Sequence, residues 1–296
     1  QHERWLNRPA RNFYFRNLTF NAMGESGQGF YMEHTSDVLF DNCVFRGQDV
    51  PEGCWHHGIV NATGLSGNIW FRGCRFEDNQ RLHAYFDGVH MGGFVNCRFA
   101  AGSSHGSFMP FVNWDMSPFR CGMPPWCAYN VMAHNTFAKG AGGIGGYGMN
   151  PMLIVGNKVE GTEEFIDHSH GNGFVIADND MRVDTLWKAE KFATAWGPMK
   201  PYVMRDNVIR DCRTLLKGNC SGTPPRVEIT GNTFHGEALP RFILKDADKK
   251  GVTLDIEITG NTFHTPEGEF VVDPDGKPVK SDNLTLKADK NRFDTQ

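Results

Sequence analysis

No apolar run in the 296 residues approaches the roughly 18 that a membrane-spanning helix needs, so no such span is expected. No segment carries a clean 3.6-residue apolar stripe, and 34 Gly and 15 Pro punctuate the whole chain, which argues against helical solenoids and bundles. The leucine pattern of leucine-rich repeats is missing. The eight Cys include no CxxC pair, so nothing suggests a zinc site of that kind. Charge of neither sign dominates. Lys and Arg number 30 against 34 Asp and Glu, and a formal net charge of −4 predicts no bulk attraction to nucleic acid or to an anionic membrane. The chain opens at Gln1 without Met or a signal segment, as expected of a processed or trimmed form.

What is abundant is repetition. The stretch EITGNTFH stands at 228–235 and again, unchanged, at 257–264. Weaker copies of apolar-x-x-Asn-x-apolar run from FRNLTF (15–20) through FVNCRF (94–99) and MAHNTF (132–137) to ADKNRF (288–293), eleven in all. The last position is apolar in every copy and Phe in eight; the fourth is Asn in seven, Cys in three (Cys43, Cys74, Cys97) and Leu18 in the first. Successive copies lie 22 to 38 residues apart, the period of a repeat architecture. Apolar alternation within each copy is the two-residue period of a strand, and the central Asn and Gly tolerate the left-handed φ of a sharp corner. A unit of this length cannot bury its own apolar face unless it is stacked on its neighbours. The expectation is an all-β, single-stranded parallel β-helix of about 10–11 coils, with Asn side chains bonding up and down the stack. The inward set is Phe20, Phe45, Phe76, Phe99, Phe137, Phe234 and Phe263. The ladder is Asn135, Asn157, Asn179, Asn207, Asn232 and Asn261.

On this corner motif and coil length, over roughly residues 12–293, the chain resembles the right-handed parallel β-helix proteins of the pectin-lyase-like superfamily. The resemblance implies a right-handed coil. It also implies a secreted enzyme acting on acidic or neutral polysaccharides, with non-catalytic members as the alternative. One domain over 1–296 is expected, with an N-terminal cap over 1–11 and C-terminal coils and cap over 265–296. Cys43, Cys74 and Cys97 share one ladder position and read as buried thiols, while the pairs Cys121/Cys127 and Cys212/Cys220 are spaced for disulfides. An extracytoplasmic location follows. The longest insertions fall at 46–56, 100–126 and 182–200, and TLWKAEKFATAW (185–196) reads as one or two helical turns.

A second strand follows each corner: HAYFDGVH (83–90), FVNWDM (111–116), GGYGMN (145–150), EFIDHSH (164–170), FATAWG (192–197) and LLKGN (215–219) among them. Stacked, these make a stripe of carboxylates, imidazoles and aromatics that suits a sugar groove, because rings stack on pyranose faces and carboxylates and His move protons. The candidate catalytic residues are Asp87, Asp115, Asp167, His90 and His170. The candidate substrate-binding residues are Tyr85, His57, Asn113, Trp114, Arg120, Tyr147, His168, Trp196 and Lys217. Two coils between Asp115 and Asp167 place their backbones about 10 Å apart, within reach of an inverting glycosidase pair, with Asp167 as acid and Asp115 as base. One coil between Asp87 and Asp115 gives about 5 Å, nearer a retaining spacing or a shared-proton pair.

NWD (113–115) with DHSHG (167–171) resembles the Asn-x-Asp and Gly-His-Gly elements of polygalacturonase-type hydrolases. The Asp-Asp doublet and Arg-x-Lys are missing, and Ser169 replaces the first Gly. YFDGVH (85–90) resembles the Tyr/Asp/His cluster of alginate C5-epimerases without its Asp-Pro-His order. A glycoside hydrolase is therefore favoured. A uronate lyase or C5-epimerase using Tyr85 or His90 is the first alternative, and a non-catalytic glycan-binding β-helix the second. The partner is a polysaccharide or oligosaccharide, with no nucleic acid. No cofactor is expected. DPDG (273–276) reads as a turn first and a calcium loop second, and the His168/His170 pair is the better metal candidate of the His pairs.

Overall fold

The computed structural model describes residues 10–23, 30–48, 58–64, 66–79, 82–100, 111–115, 129–140, 143–147, 151–169, 173–192, 201–220, 226–249 and 252–294, with backbone alone for 111–115, 147, 168–169 and 190–192. Among the described residues every strand pairing is parallel apart from one isolated antiparallel bridge, Val272 with Pro278. The strands wind into a solenoid whose first face is an eleven-stranded sheet, one strand per coil, from Ala10–Arg16 to Leu284–Asp289. A second face of short strands follows each corner, such as Arg75–Glu77 and Thr233–His235. A third face carries the longer strands Gly58–Thr63, Leu82–Asp87, Phe111–Asp115, Ile144–Tyr147 and Thr214–Cys220. In coils 6 and 7 the second and third faces merge, because Lys158–Ser169 and Asp180–Phe192 run through the bend as continuous strands. No helix among the described residues is long and apolar enough to cross a membrane.

The corner between the first and second faces has one geometry in all eleven coils. The residue before the ladder position always has positive φ, from Asn17 (56°) and Asn42 (52°) through Gly156 (64°) and Gly231 (66°) to Lys290 (55°). Asn, Asp and Gly fill nine of these positions because they tolerate that conformation, and only His134 and Lys290 depart. The corner then aims the next residue inward. From Asn135 to Asn291 these are Asn; the Asn135 Oδ1 accepts from the Cys97 backbone N–H, and from Asn157 onward each Oδ1 accepts from the backbone N–H and the Nδ2 of the Asn one coil earlier. Asn135 to Asn157 is 2.9 and 3.0 Å, and Asn157 to Asn179 is 2.8 and 2.9 Å. Each Nδ2 also reaches a backbone carbonyl of the coil before, as Asn157 does to Met132 at 2.8 Å. The expected ladder forms in full, and Asn291 extends it.

In coils 2–4 the thiols of Cys43, Cys74 and Cys97 occupy that position, buried and unpaired by disulfide, and each donates to backbone carbonyls at 3.4–3.6 Å. The inward Phe positions are all in the core, with Phe20 half-buried at its end. Two readings are corrected. Cys212 and Cys220 are separate buried free thiols, each pushed up to about 12 by burial, so they form no disulfide. Cys121 and Cys127 lie outside the described residues. Residues 185–192 are strand and not helical turns: Trp187 pairs with Ile166 and Leu216, and with Ala189 it fills the core, so lateral pairing overrides local helix propensity. Of the expected cap, residues 1–9 lie outside the described residues, and Ala10 and Arg11 already belong to the first strand.

Candidate functional site

Parity on the third face decides which residues can meet. Val60, Ala62, Ala84, Phe86, Ile144 and Ile166 belong to the core, so the alternate positions that follow Val60, Ala84, Ile144 and Ile166 face away from it, whereas Ile59, His83 and Phe165, at the bend before them, are buried as well. Those positions form two columns. One runs Asn61, Tyr85, Asn113, Gly145, Asp167, Lys188, Lys217. The other pairs Asp87 with Asp115, and Tyr147 with Ser169 farther along. Asp87 and Asp115 thus lie in register on adjacent strands, about 4.8 Å apart at the backbone. Asp167 is two coils from Asp115 and also two residues along the strand, which makes about 12 Å. Between Asn113 and Asp167 the column holds only Gly145, so the stripe has a gap there without a side chain.

The character of the stripe changes along its length. Asn61, Tyr85 and Asp87 are buried on this outward side, at 0, 7 and 4% exposure. Asn61 is held by the Gly58 backbone, donating to its carbonyl at 2.5 Å and accepting from its N–H at 3.1 Å. From coil 6 onward the column opens. The carboxylate of Asp167 lies 3.9 Å from the Lys188 ammonium, which also pairs with Glu164 at 3.1 Å. Burial pulls the Lys188 ammonium down, but Asp167, Glu164 and Glu163 outweigh it and hold the pKa above its ordinary value. Lys217, the next residue in the column, is exposed.

Other expected site residues fall elsewhere. Trp114 and His168 occupy the register column of Phe86, which is in the core. Their side chains, with those of Asn113, Asp115 and Tyr147, lie outside the described part. His57, Arg120, His170 and Trp196 lie outside the described residues altogether. His90 is past the Gly88 turn, at the start of the first-face strand His90–Val95, where burial lowers its pKa. His83, expected on the stripe, instead packs between Phe76 and Phe99 with centroids at 5.8 and 5.4 Å.

Lys188 was missed because 185–196 reads locally as helical, which shifts the coil-7 strand to FATAWG; the pairing of Trp187 with Leu216 puts it at 185–189. The apolar alternation of Leu186 and Trp187 against LLKGN was the available signal. Among the described residues no group of three or more His, Cys, Asp or Glu is placed to hold a metal. In the DPDG segment the Asp273 carboxylate accepts the N–H groups of Asp275 and Lys277 at 2.9 and 2.8 Å, the bonding of a turn.

A parallel solenoid with in-register corner ladders and a polar third face is a parallel β-helix, a fold compatible with carbohydrate-active enzymes and binders. Residues 7–185 match the family model described as the right-handed β-helix region, and the chain belongs to that family. Comparison with curated proteins returns no match.

Proposed function

We propose that this β-helix is a carbohydrate-active enzyme, acting outside the cytoplasm, that hydrolyses a glycosidic bond on its third face. The observation that carries the reading is the direct pairing of Asp87 with Asp115. Carboxylates on neighbouring strands have the short separation of a retaining pair, in which one attacks the sugar and the other serves as acid and then base. Two like charges so close also favour different protonation states, which divides the two roles. Beside them, Tyr85 and Asn113 share the next outward column, and the gap at Gly145 gives a sugar ring room against the sheet before Asp167 is reached. Asp167 then serves substrate positioning.

A second reading rests on Lys188 and Lys217, stacked in one column beside Asp167. They supply the cationic partners that a uronate carboxylate needs during proton abstraction, and so favour a lyase or C5-epimerase with Tyr85 in a proton role.

Incubation with a panel of neutral and acidic polysaccharides separates the two. New reducing ends without the absorbance of an unsaturated uronate support hydrolysis, and both signals together support the lyase. Asp87→Asn and Asp115→Asn are each expected to cut turnover by about 10²-fold or more with the melting curve preserved. Full activity in both variants places the chemistry elsewhere. Glycan binding without turnover of any substrate supports the adhesion reading instead.

A further inference from the structure

The second face carries two arginines that neither the third-face chemistry nor the packing uses. Its outward column runs Val44, Arg75, Arg98, Thr136, Lys158 and Asp180, one residue per coil. Arg75 and Arg98 are exposed and lie in register on adjacent strands, about 4.8 Å apart at the backbone. Like charges directly opposite one another destabilise a sheet unless something neutralises them. Elsewhere carboxylates do so. Arg182 and Arg210 are also in register, and Asp211 and Asp180 pair with them. Lys188 and Lys217 share a column, and Lys188 is held by Glu164 and Asp167. Among the described residues no carboxylate pairs with Arg75 or Arg98: Glu77 turns to Arg46 at 3.9 Å, and Glu160 to Lys158 at 3.5 Å.

The ground beside the two arginines is low. In the neighbouring outward column Ala100 and Ala138 stand between Glu77 and Glu160, and their N–H groups continue the strand pairing to the carbonyls of Phe76 and Phe99 at 2.9 Å. A chain laid along the coils there meets two methyl groups on one side and the row from Arg75 to Lys158 on the other, over about 14 Å. Lys139 follows in the next turn, exposed. Arg46, Arg75, Arg98, Lys139 and Lys158 outnumber Glu77, Asp78 and Glu160 on this stretch. It is positive on a chain whose formal net charge is −4.

We propose that Arg75 and Arg98 hold an acidic polysaccharide through its carboxylates, at a second and non-catalytic site. A guanidinium takes a carboxylate through two parallel N–H···O bonds. Two guanidiniums at one coil spacing can share a carboxylate or hold successive ones along a polymer. Thr136 adds a hydroxyl able to bond a sugar, and the low shelf of Ala100 and Ala138 leaves room for the rings. A neutral glucan would leave the repulsion between the arginines unrelieved. Held here, the protein stays on its polymer while the third face works on one segment of it. The class of partner rests on the carbohydrate reading of the third face, whereas the unpaired cations do not.

Biolayer interferometry of the full chain on immobilised polygalacturonate tests this, with dextran as the neutral control. Binding to polygalacturonate and not to dextran is expected. Arg75→Glu with Arg98→Glu, checked by an unchanged melting curve, should weaken it by about tenfold or more and flatten its salt dependence. Lys277→Glu with Lys280→Glu makes the same change of net charge at exposed positions, and should alter binding by less than about twofold. Equal losses in the two double variants overturn the site in favour of bulk charge. Unchanged binding in the arginine variant overturns it outright, as does the absence of binding to polygalacturonate. A preference for dextran sulfate over polygalacturonate overturns the carboxylate assignment. Arginine-dependent binding without turnover of any polysaccharide sustains this site and removes the hydrolase reading. Turnover of a polysaccharide whose binding ignores both arginines does the reverse.

Discussion

Coils 1–4 and coils 5–11 share one corner and fill it differently. In the first group the inside is a pair of phenylalanine stacks. Phe15, Phe40, Phe71 and Phe94 follow one another at 4.9, 4.7 and 4.6 Å, and Phe20, Phe45, Phe76 and Phe99 at 4.9, 4.9 and 5.1 Å. These distances equal the coil spacing, so ring stacking and strand pairing reinforce each other. In coils 2–4 the ladder position holds thiols, which bond weakly to carbonyls of the coil before and form no continuous amide chain. In the second group Ile154, Ile176, Ile229 and Ile258 replace one stack, and continuous Asn hydrogen bonding replaces the thiols. An amide both donates and accepts, so it can propagate a chain of bonds where a thiol cannot. The same coil is therefore held mainly by dispersion at one end and by a buried polar network at the other. The Asp87–Asp115 pair lies at the junction, in coils 3 and 4.

Variants can break this contrast. The largest effect is expected from Phe99→Ala, which empties a fully buried site in the aromatic half and should cost about 3–5 kcal/mol in urea unfolding. Phe293→Ala, in the last coil, should cost far less; equal losses would mean that the ends are not weaker than the middle. Next is Asn179→Ala in the polar half. It strands the Asn157 N–H and the Ile154 carbonyl, and a loss of about 3 kcal/mol is expected from buried groups left unpaired. A loss below about 1 kcal/mol would show that the ladder is decorative.

The aromatic half should also be the acid-sensitive one. His83 is buried between Phe76 and Phe99, and burial lowers its pKa from 6.5 to about 3. Its Nδ1 lies 3.3 Å from the Asn79 amide, whereas Nε2 has no partner; the nearby Ala100 backbone offsets only part of the burial. The folded state therefore keeps a neutral ring that the unfolded chain protonates below its own pKa. Stability from this group is complete above pH 6.5 and declines as pH falls toward 3. A decline of about 2 kcal/mol by pH 5 is expected, and His83→Leu should flatten that slope. An unchanged slope would assign acid sensitivity to other groups. The smallest effect is expected at the last corner, where Lys290 holds φ 55° on an exposed residue. Lys290→Gly should raise the melting temperature slightly, by up to about 1 kcal/mol of stability.

Much of this molecule was legible in the sequence because its rules are local. The corner needs a residue that accepts positive φ and an apolar residue three positions on, and these recur closely enough to mark every coil, the inward Phe and the Asn ladder. The buried state of Cys43, Cys74 and Cys97 followed from their place in the same alignment. What the sequence could not decide was lateral. Which residue of one strand lies beside which residue of the next depends on coil lengths that vary from 22 to 38, and a shift of one residue exchanges the two faces. Register alone separates Asp167 from the column of Asp87 and Asp115, puts Trp114 and His168 on the parity of Phe86, and brings Lys188 beside Asp167. It also turns 185–192 into strand, since Trp187 gains more by pairing with Leu216 than a short helix would gain in water. His83 shows the same limit from the other side. Its neighbours Phe76 and Phe99 come from other parts of the winding, and only their convergence takes an ordinary imidazole out of water and makes it an acid-sensitive element of the core.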